Sequence, residues 1–411
     1  MKSQRLWDVI VAGAGPGGSA SAALLAKKGF RVLVLEKDEF PRFHIGESLL
    51  PASELVQSEL GVDIDPEVFL FKRGAQFLCE ASGRHKAFDF AEALPGPQRY
   101  AWQVERARFD TLLRDRALAF GAEVRHGVRV EEVSTSEEGV EVSSSAGRER
   151  ARYFIDASGQ GRLLASKMRS VEAFRDFGKA ALFTHFHALS DEAWGEIAPH
   201  HDVRILMIPE GWAWVIPLAG KRLSVGVVSQ RQGIQREDLD RFLAQSTLLQ
   251  RLTRGAERGE TRCIGNFSYR NARPFGPRYA CVGDAACFID PVFSSGVSLA
   301  LQGASQIGRA LAEALEKGEE ANPRLMAGIE GRLEQGYATF AALVYRFYNT
   351  RFVDNMIFGA PDDGEYRAGV VSVLAGDVYR NDNTFADMLL RSRRRPDANA
   401  RGATALQSMA G

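Results

Sequence analysis

Residues 9–36 read VIVAGAGPGGSASAALLAKKGFRVLVLE. The apolar run 9–11 meets the glycine turn Gly13-Ala14-Gly15-Pro16-Gly17-Gly18, and a small-residue helical pattern follows over 19–28. Gly29 stops that helix, and a second apolar run, 31–35, ends at Glu36. Strand, glycine turn, helix, strand and acid in this order form a dinucleotide-binding fingerprint. Gly13 permits the tight turn. Gly15 leaves the backbone bare where a pyrophosphate approaches, and Gly18 lets the helix pack closely on the sheet. Free N–H groups and the dipole at the helix start favour a phosphate. Glu36, at the end of the second strand, is placed to accept from ribose hydroxyls. A glycine turn without a ligand would explain neither the small residues 19–23 nor Glu36.

Outward from this stretch, KDEFPRFHIGESLLP (37–51) leaves the carboxyl edge of the predicted sheet, where ligands of such sheets lie. Pro41 makes it a loop. Gly46-Glu47-Ser48 reads as a helix start with Ser48 as its cap. Arg42, Glu47 and Ser48 are within reach of the cofactor. Residues 76–78 and 87–90 read as strands of a second, antiparallel layer, and Pro95-Gly96-Pro97 as a loop. Phe69-Leu70-Phe71-Lys72 sets a lysine directly after three large apolar residues. A helix is predicted over 107–120, then a meander of strands at 123–126, 128–133 and 140–144. It leads to a strand at 151–155 that ends in Asp156. Strands at 180–187, 203–208, 211–218 and 223–230 and a helix over 237–249 describe a β-rich region. A strand at 279–282 runs into Gly283-Asp284. The tight loop 291–296 then aims a long helix over 297–316, and a second helical stretch spans 323 to about 348. The tail from Arg391 is basic and rich in small residues, and is expected to be disordered.

The expected fold class is α/β: a Rossmann-like dinucleotide-binding domain, FAD-binding by the resemblance given below, with an inserted β-rich substrate domain and C-terminal helices. The nucleotide-binding domain is discontinuous, over 1–60, 100–165 and 275–320. Residues 61–99 and 166–274 form the β-rich domain, 321–390 the C-terminal helical region and 391–411 the tail. The chain has 411 residues, 45% hydrophobic and 25% charged, enough for two packed domains. Lys+Arg and Asp+Glu are 52 each, so nothing argues for a nucleic-acid partner. Cys79, Cys263, Cys281 and Cys287 form no CxxC pair. Their apolar neighbours suggest reduced, buried thiols in a cytoplasmic protein, and no metal is expected. The first strand begins by Trp7, leaving no room for a signal peptide, and no apolar run reaches the length of a membrane span.

The glycine turn 13–18, the Asp156 strand end and the Gly283-Asp284 strand end, in this order, resemble the FAD-dependent monooxygenase fold. Within it, three further stretches resemble the flavin-dependent halogenases: PRFHIGESLLP (41–51), Trp212-Ala213-Trp214-Val215-Ile216-Pro217 and GDAACFIDPVFSSGVSLAL (283–301). Lys72, in a Lys-x-Gly-Ala setting, stands where that family carries its essential lysine. The resemblance covers most of residues 7 to about 350, and WxWxIP joined to an FAD fingerprint is its specific part.

The resemblance implies FAD, used as FADH2, bound by Gly13, Gly15, Gly18, Glu36, Arg42, Glu47, Ser48, Arg106, Asp284, Gly296 and Val297, with Val130 against the adenine. It implies chloride or bromide at Ser295 and Gly296, whose successive N–H groups form an anion nest. The motif Trp212, Trp214, Ile216 and Pro217 is then a barrier between substrate and a flavin peroxide. A hypohalous species would be guided to Lys72, which acts as an activating ammonium or as a halogen-carrying amine. Burial beside residues 69–71 would lower its pKa. Free-tryptophan enzymes of the family carry a glutamate two residues before Ser295. Phe293 in that place, with the shorter chain, points to an electron-rich phenol or pyrrole, free or tethered to an acyl carrier protein. No second nucleotide fingerprint is evident, which implies a separate flavin reductase. A monooxygenase or reductase acting directly at the flavin, or a flavoprotein without halogenating activity, would use the same fold. Trp212 and Trp214, two apart on one strand, would also serve as a core pair, and Lys72 as a surface lysine on a loop.

Overall fold

The computed structural model describes residues 6–391 apart from 97, 98, 175, 176, 179, 232, 266, 349, 360 and 362. The strand Leu6–Ala12 lies between Val32–Leu35 and Gly147–Asp156, parallel to both. Glu123–Arg125 extends this parallel sheet beyond Val32–Leu35, and Tyr279–Cys281 extends it beyond Gly147–Asp156. Runs such as Val9-Ile10-Val11 and Val32-Leu33-Val34-Leu35 are buried on both faces. That is why they are continuously apolar rather than alternating. The helix Pro16–Lys27 is buried from Pro16 to Ala26. Its small side chains let it pack against the helix Ser295–Lys317, where the Cβ position of Gly308 comes within 3.5 Å of Leu24 Cβ.

The second sheet runs in the spatial order Glu257–Arg258, Ala180–His187, Arg222–Ser229, Gly211–Leu218, Val203–Ile208, Gly74–Cys79 and Arg84–Asp89, with Arg262–Gly265 also paired to Ala180–His187. Its pairs are antiparallel except Val203–Ile208 with Gly74–Cys79. Side chains alternate between two cores. Leu206, Ala213, Val215 and Val225 pack in one, under the short helices Asp191–Ile197, Asp238–Ala244 and Thr247–Leu252. Ile205, Trp212, Trp214 and Ile216 face the main core shared with the parallel-sheet layer. A one-residue slip in this register would exchange the two sets, so the register itself aims the tryptophans.

Several expectations are corrected. The helix over 237–249 is two helices, because Ser246 is extended (φ −110°, ψ 117°) and its Oγ accepts from Leu249 N at 3.1 Å, capping the second. Residues 123–144 are not one meander. Glu123–Arg125 belongs to the parallel sheet, and only Val130–Thr135, Val140–Ser144 and Gly147–Asp156 form antiparallel neighbours. The long helix starts at Ser295 rather than Val297, and ends at Gly318 in the left-handed conformation (φ 71°) that glycine adopts without strain. Gly46-Glu47-Ser48 starts no helix: Ser48 forms an extended bridge with Gln103, and helical structure begins at Pro51. Cys281 and Cys287 are buried, but Cys263 is exposed and Cys79 half-buried. Pro97 and the tail beyond Arg391 lie outside the described residues. Among the described residues no helix is long and apolar enough to cross a membrane, and no cluster of His, Cys, Asp and Glu could hold a metal ion.

Candidate flavin and halide site

A cavity of about 550 Å³ runs from the carboxyl edge of the parallel sheet to the tryptophan face of the second sheet. At the nucleotide end, Gly13 has φ +102°, and a Cβ there would meet Ala157 O at 2.4 Å. A Cβ at Gly18 would meet Gly13 O at 2.0 Å, so neither position admits another residue. Gly15 opens toward the cavity, with Arg42 as its nearest neighbour at 3.6 Å. Buried Glu36 accepts from Ala14 N at 2.6 Å and Asp38 N at 2.9 Å, which fixes the turn while the carboxylate still lines the cavity. Val130 lines the same end.

Midway, Arg106 grips Asp110 through Nε (2.7 Å) and Nη2 (3.0 Å), and donates through Nη1 to Ile45 O at 2.8 Å. Arg42 Nη1 reaches the same carboxylate at 3.0 Å. This buried cluster holds the loop 42–48 against the sheet. Burial, with Arg106 adding to it, lowers His44 to about 4, so it is neutral. Burial pushes Asp284 up to about 7, with Arg106 opposing. Glu47 Oε1 meets His185 Nε2 at 2.7 Å. Glu47 Oε2 and Ser48 Oγ are buried with no partner, in residues that line the cavity. Buried polar atoms are normally satisfied, so these await a polar ligand. With the bare glycine turn and the cavity's length, they fit FAD.

At the far end, Asp290 Oδ1 accepts from Val292 N (3.1 Å), Ser294 takes the left-handed conformation (φ 55°), and the 23-residue helix begins at Ser295. The N–H groups of Ser295, Gly296 and Val297 belong to its first turn and have no partner within the helix. All three residues line the cavity, so the helix start faces it as an anion site. Trp212, Trp214 and Ile216 form the opposite wall. Pro217 does not line it, because strand alternation turns it to the other face. The two indoles lie 5.9 Å apart. Trp214 Nε1 donates to Ser224 Oγ at 3.2 Å, and a Cβ on Gly226 would meet the Trp214 ring at 2.2 Å.

Lys72 is not a surface lysine on a loop. It sits on the strand Leu70–Lys72, is fully buried, and its Nζ donates to Leu49 O at 2.7 Å over the Phe90 ring at 5.1 Å. Phe71 points outward and is exposed, so the apolar environment comes from Phe69 and Phe90. Burial lowers the amine to about 7, with the charge of Asp202 opposing. Lys72 is not among the residues lining the cavity, whereas Ser48, the neighbour of its acceptor Leu49, is.

Sequence reasoning missed His185, Phe183 and Phe43. Phe183 and His185 share a face of the strand Ala180–His187, which the period of two makes legible. Phe43 lines the cavity under the guanidinium of Arg262, 3.5 Å from its ring. That contact joins distant segments and leaves no local signal.

Fold and site define a Rossmann-type flavoprotein whose cofactor is FAD. The sequence profile of the tryptophan halogenase family matches residues 8–98 and 92–358. A 1H-pyrrole-2-carbonyl peptidyl-carrier-protein chlorinase of Pseudomonas fluorescens is 30% identical over 407 residues, spanning 91% of this chain and 90% of that one. Among solved structures, a flavoprotein/dehydrogenase of Cytophaga hutchinsonii superposes with a TM-score of 0.84 at 29% identity, over 93% of this chain and 96% of that one. The flavin-dependent brominase Bmp2 superposes equally, at 0.84 and 25% identity, over 96% and 100% of the chains. The chain belongs to the flavin-dependent halogenases, enzymes that use FAD and a halide.

Proposed function

We propose that the protein halogenates a pyrrole or phenol ring held on a carrier protein, and that Lys72 directs the halogen. The observation carrying this reading is the burial of Lys72 outside the flavin cavity, behind Ser48 and Leu49. When bound and reduced by a separate reductase, FAD supplies the oxygen-derived oxidant that turns halide into hypohalous acid. The residues of the glycine turn, with Glu36, Arg42, Glu47, Ser48, Arg106, Val130 and Asp284, hold the cofactor. The N–H groups at Ser295 and Gly296 hold the halide. Trp212 and Trp214 keep the organic ring out of the cavity.

The Lys72 ammonium donates to the hypohalous oxygen and polarises the oxygen–halogen bond. A ring electron pair takes the halogen, the oxygen leaves as water with the Lys72 proton, and the proton lost by the ring passes through solvent to restore the ammonium. A phenol or pyrrole ring fits Phe293, because an electron-rich ring or a phenolate needs less help from a protein base. The pyrrole chlorinase from Pseudomonas supports the same class of substrate.

The test supplies the purified protein with FAD, a flavin reductase, halide, and a panel of carrier-bound and free pyrroles and phenols. Halogenated product is expected, and hydroxylated product alone would sink the reading. Lys72→Ala is expected to abolish halogenation with FAD still bound, and retained turnover would remove Lys72 from the mechanism.

A further inference from the structure

One buried carboxylate joins the halide end of the cavity to its tryptophan wall. Asp290 is fully buried. Its Oδ1 accepts from Val292 N at 3.1 Å, inside the loop that leads to Ser295. Its Oδ2 accepts from Gly178 N at 3.0 Å and from the Tyr348 hydroxyl. Tyr348 in turn accepts from Trp212 Nε1 at 3.2 Å. Each proton has one direction to point: indole to phenol, phenol to carboxylate. Burial with Asp290 alongside pushes the Tyr348 hydroxyl far above its usual range, so it stays a donor. A Cβ on Gly178 would lie 2.5 Å from Asp290 Oδ2 and 2.9 Å from the Tyr348 hydroxyl, so the approach of that backbone depends on glycine. Asp290, Gly178 and Tyr348 do not line the cavity, and hydrophobic packing alone would not require a buried acid here.

We propose that Asp290 and Tyr348 are positioning residues that lock the halide loop and the Trp212 indole in one arrangement, so that halide capture and exclusion of the organic ring are set together. The network acts through Val292 on the loop and through the indole N–H on the wall. Slackening it leaves oxidant that no halide captures, and this departs as hydrogen peroxide.

The inference rests on the halogenation reading, and the test separates the two. Reduced FAD, oxygen and halide are supplied with a chemical trap for free hypohalous acid and no aromatic substrate, so halide capture is read alone. A wild type that delivers no halogen to the trap fails the halogenation reading. Given a working wild type, Tyr348→Phe removes the hydroxyl at constant shape. It is expected to leave FAD affinity unchanged, to raise the halide KM, and to cut trapped halogen per flavin oxidised about threefold or more, with hydrogen peroxide making up the difference. The double variant with Trp212→Phe is expected to do no more harm than the worse single change, because both break one chain. An unchanged halide KM and yield in Tyr348→Phe, additive effects in the double variant, or loss of FAD binding would each overturn the proposal.

Discussion

Lys72 carries a proton balance that can be measured apart from catalysis. Its amine titrates near 7 in the folded chain, lowered by burial from the ordinary value of 10.5. Between these values the unfolded chain binds the extra proton, so stability rises with pH across that window. Below about pH 7 both states are charged, and the full cost of burying the ammonium is present. Lys72→Met is therefore expected to favour the fold more at pH 6 than at pH 10.5, by about a few kcal/mol. Denaturant titrations at the two pH values would check it, and an equal gain at both would refute the assignment. The contact with the Phe90 ring and the acceptor at Leu49 favour the ammonium as the working form. Halogenated product per flavin oxidised should then fall as pH rises through about 7, and a rise instead would assign the halogen-carrying amine.

At the scale of elements, the strands and the helix ends behave differently. Ser246→Ala is expected to cost about 1 kcal/mol in a denaturation curve, because it removes the cap of Thr247–Leu252. A loss below a few tenths would show that the cap is dispensable. The break at Ser246 was not legible because apolar residues keep a helical period across it, and Leu239, Phe242, Leu248 and Leu249 all enter one core. The strands Ala180–His187, Val203–Ile208 and Gly211–Leu218 were legible to the residue, since a short apolar run between turn residues is a local signal. So was the first βαβ unit, where glycine turn and acid are close in the chain. Ser48 shows the opposite case. Gly-Glu-Ser carries the chemistry of a cap, yet its backbone is claimed by Gln103, and Glu47 pairs with His185 138 positions away. Residues joined across such distances leave no pattern in a short window. The site's apolar wall could therefore be read from sequence, whereas its hydrogen-bonded partners could not.

At the scale of the whole molecule, one cavity joins the glycine turn to the tryptophan wall, and Lys72 lies outside it, behind Ser48 and Leu49. On the role proposed for Lys72, the aromatic ring arrives by a different approach from the flavin. A ring on a carrier's flexible arm suits such an approach, so a carrier-bound pyrrole is expected to turn over at least about tenfold faster than the free acid, as kcat/KM. Equal rates would point to a free substrate. The purified protein is expected to oxidise no NADPH or NADH until a reductase is added. Pyridine nucleotide oxidation by the protein alone, stimulated by substrate, would instead favour direct flavin chemistry.

The separation of Lys72 from the flavin cavity also bears on how long one molecule lasts. On the proposed function, the oxidant forms in the cavity that Trp212 and Trp214 line together with Ser295 and Gly296, and electron-rich indoles react with hypohalous acid. Working life is then counted in turnovers rather than hours. In enzyme cycling with halide but no aromatic substrate, oxidised indole at Trp212 and Trp214 is expected to accumulate in proportion to flavin oxidised, and peptide mapping would measure it. Substrate should protect both, because the ring takes the halogen first. Indoles that stay intact under those conditions would mean that the oxidant never passes them.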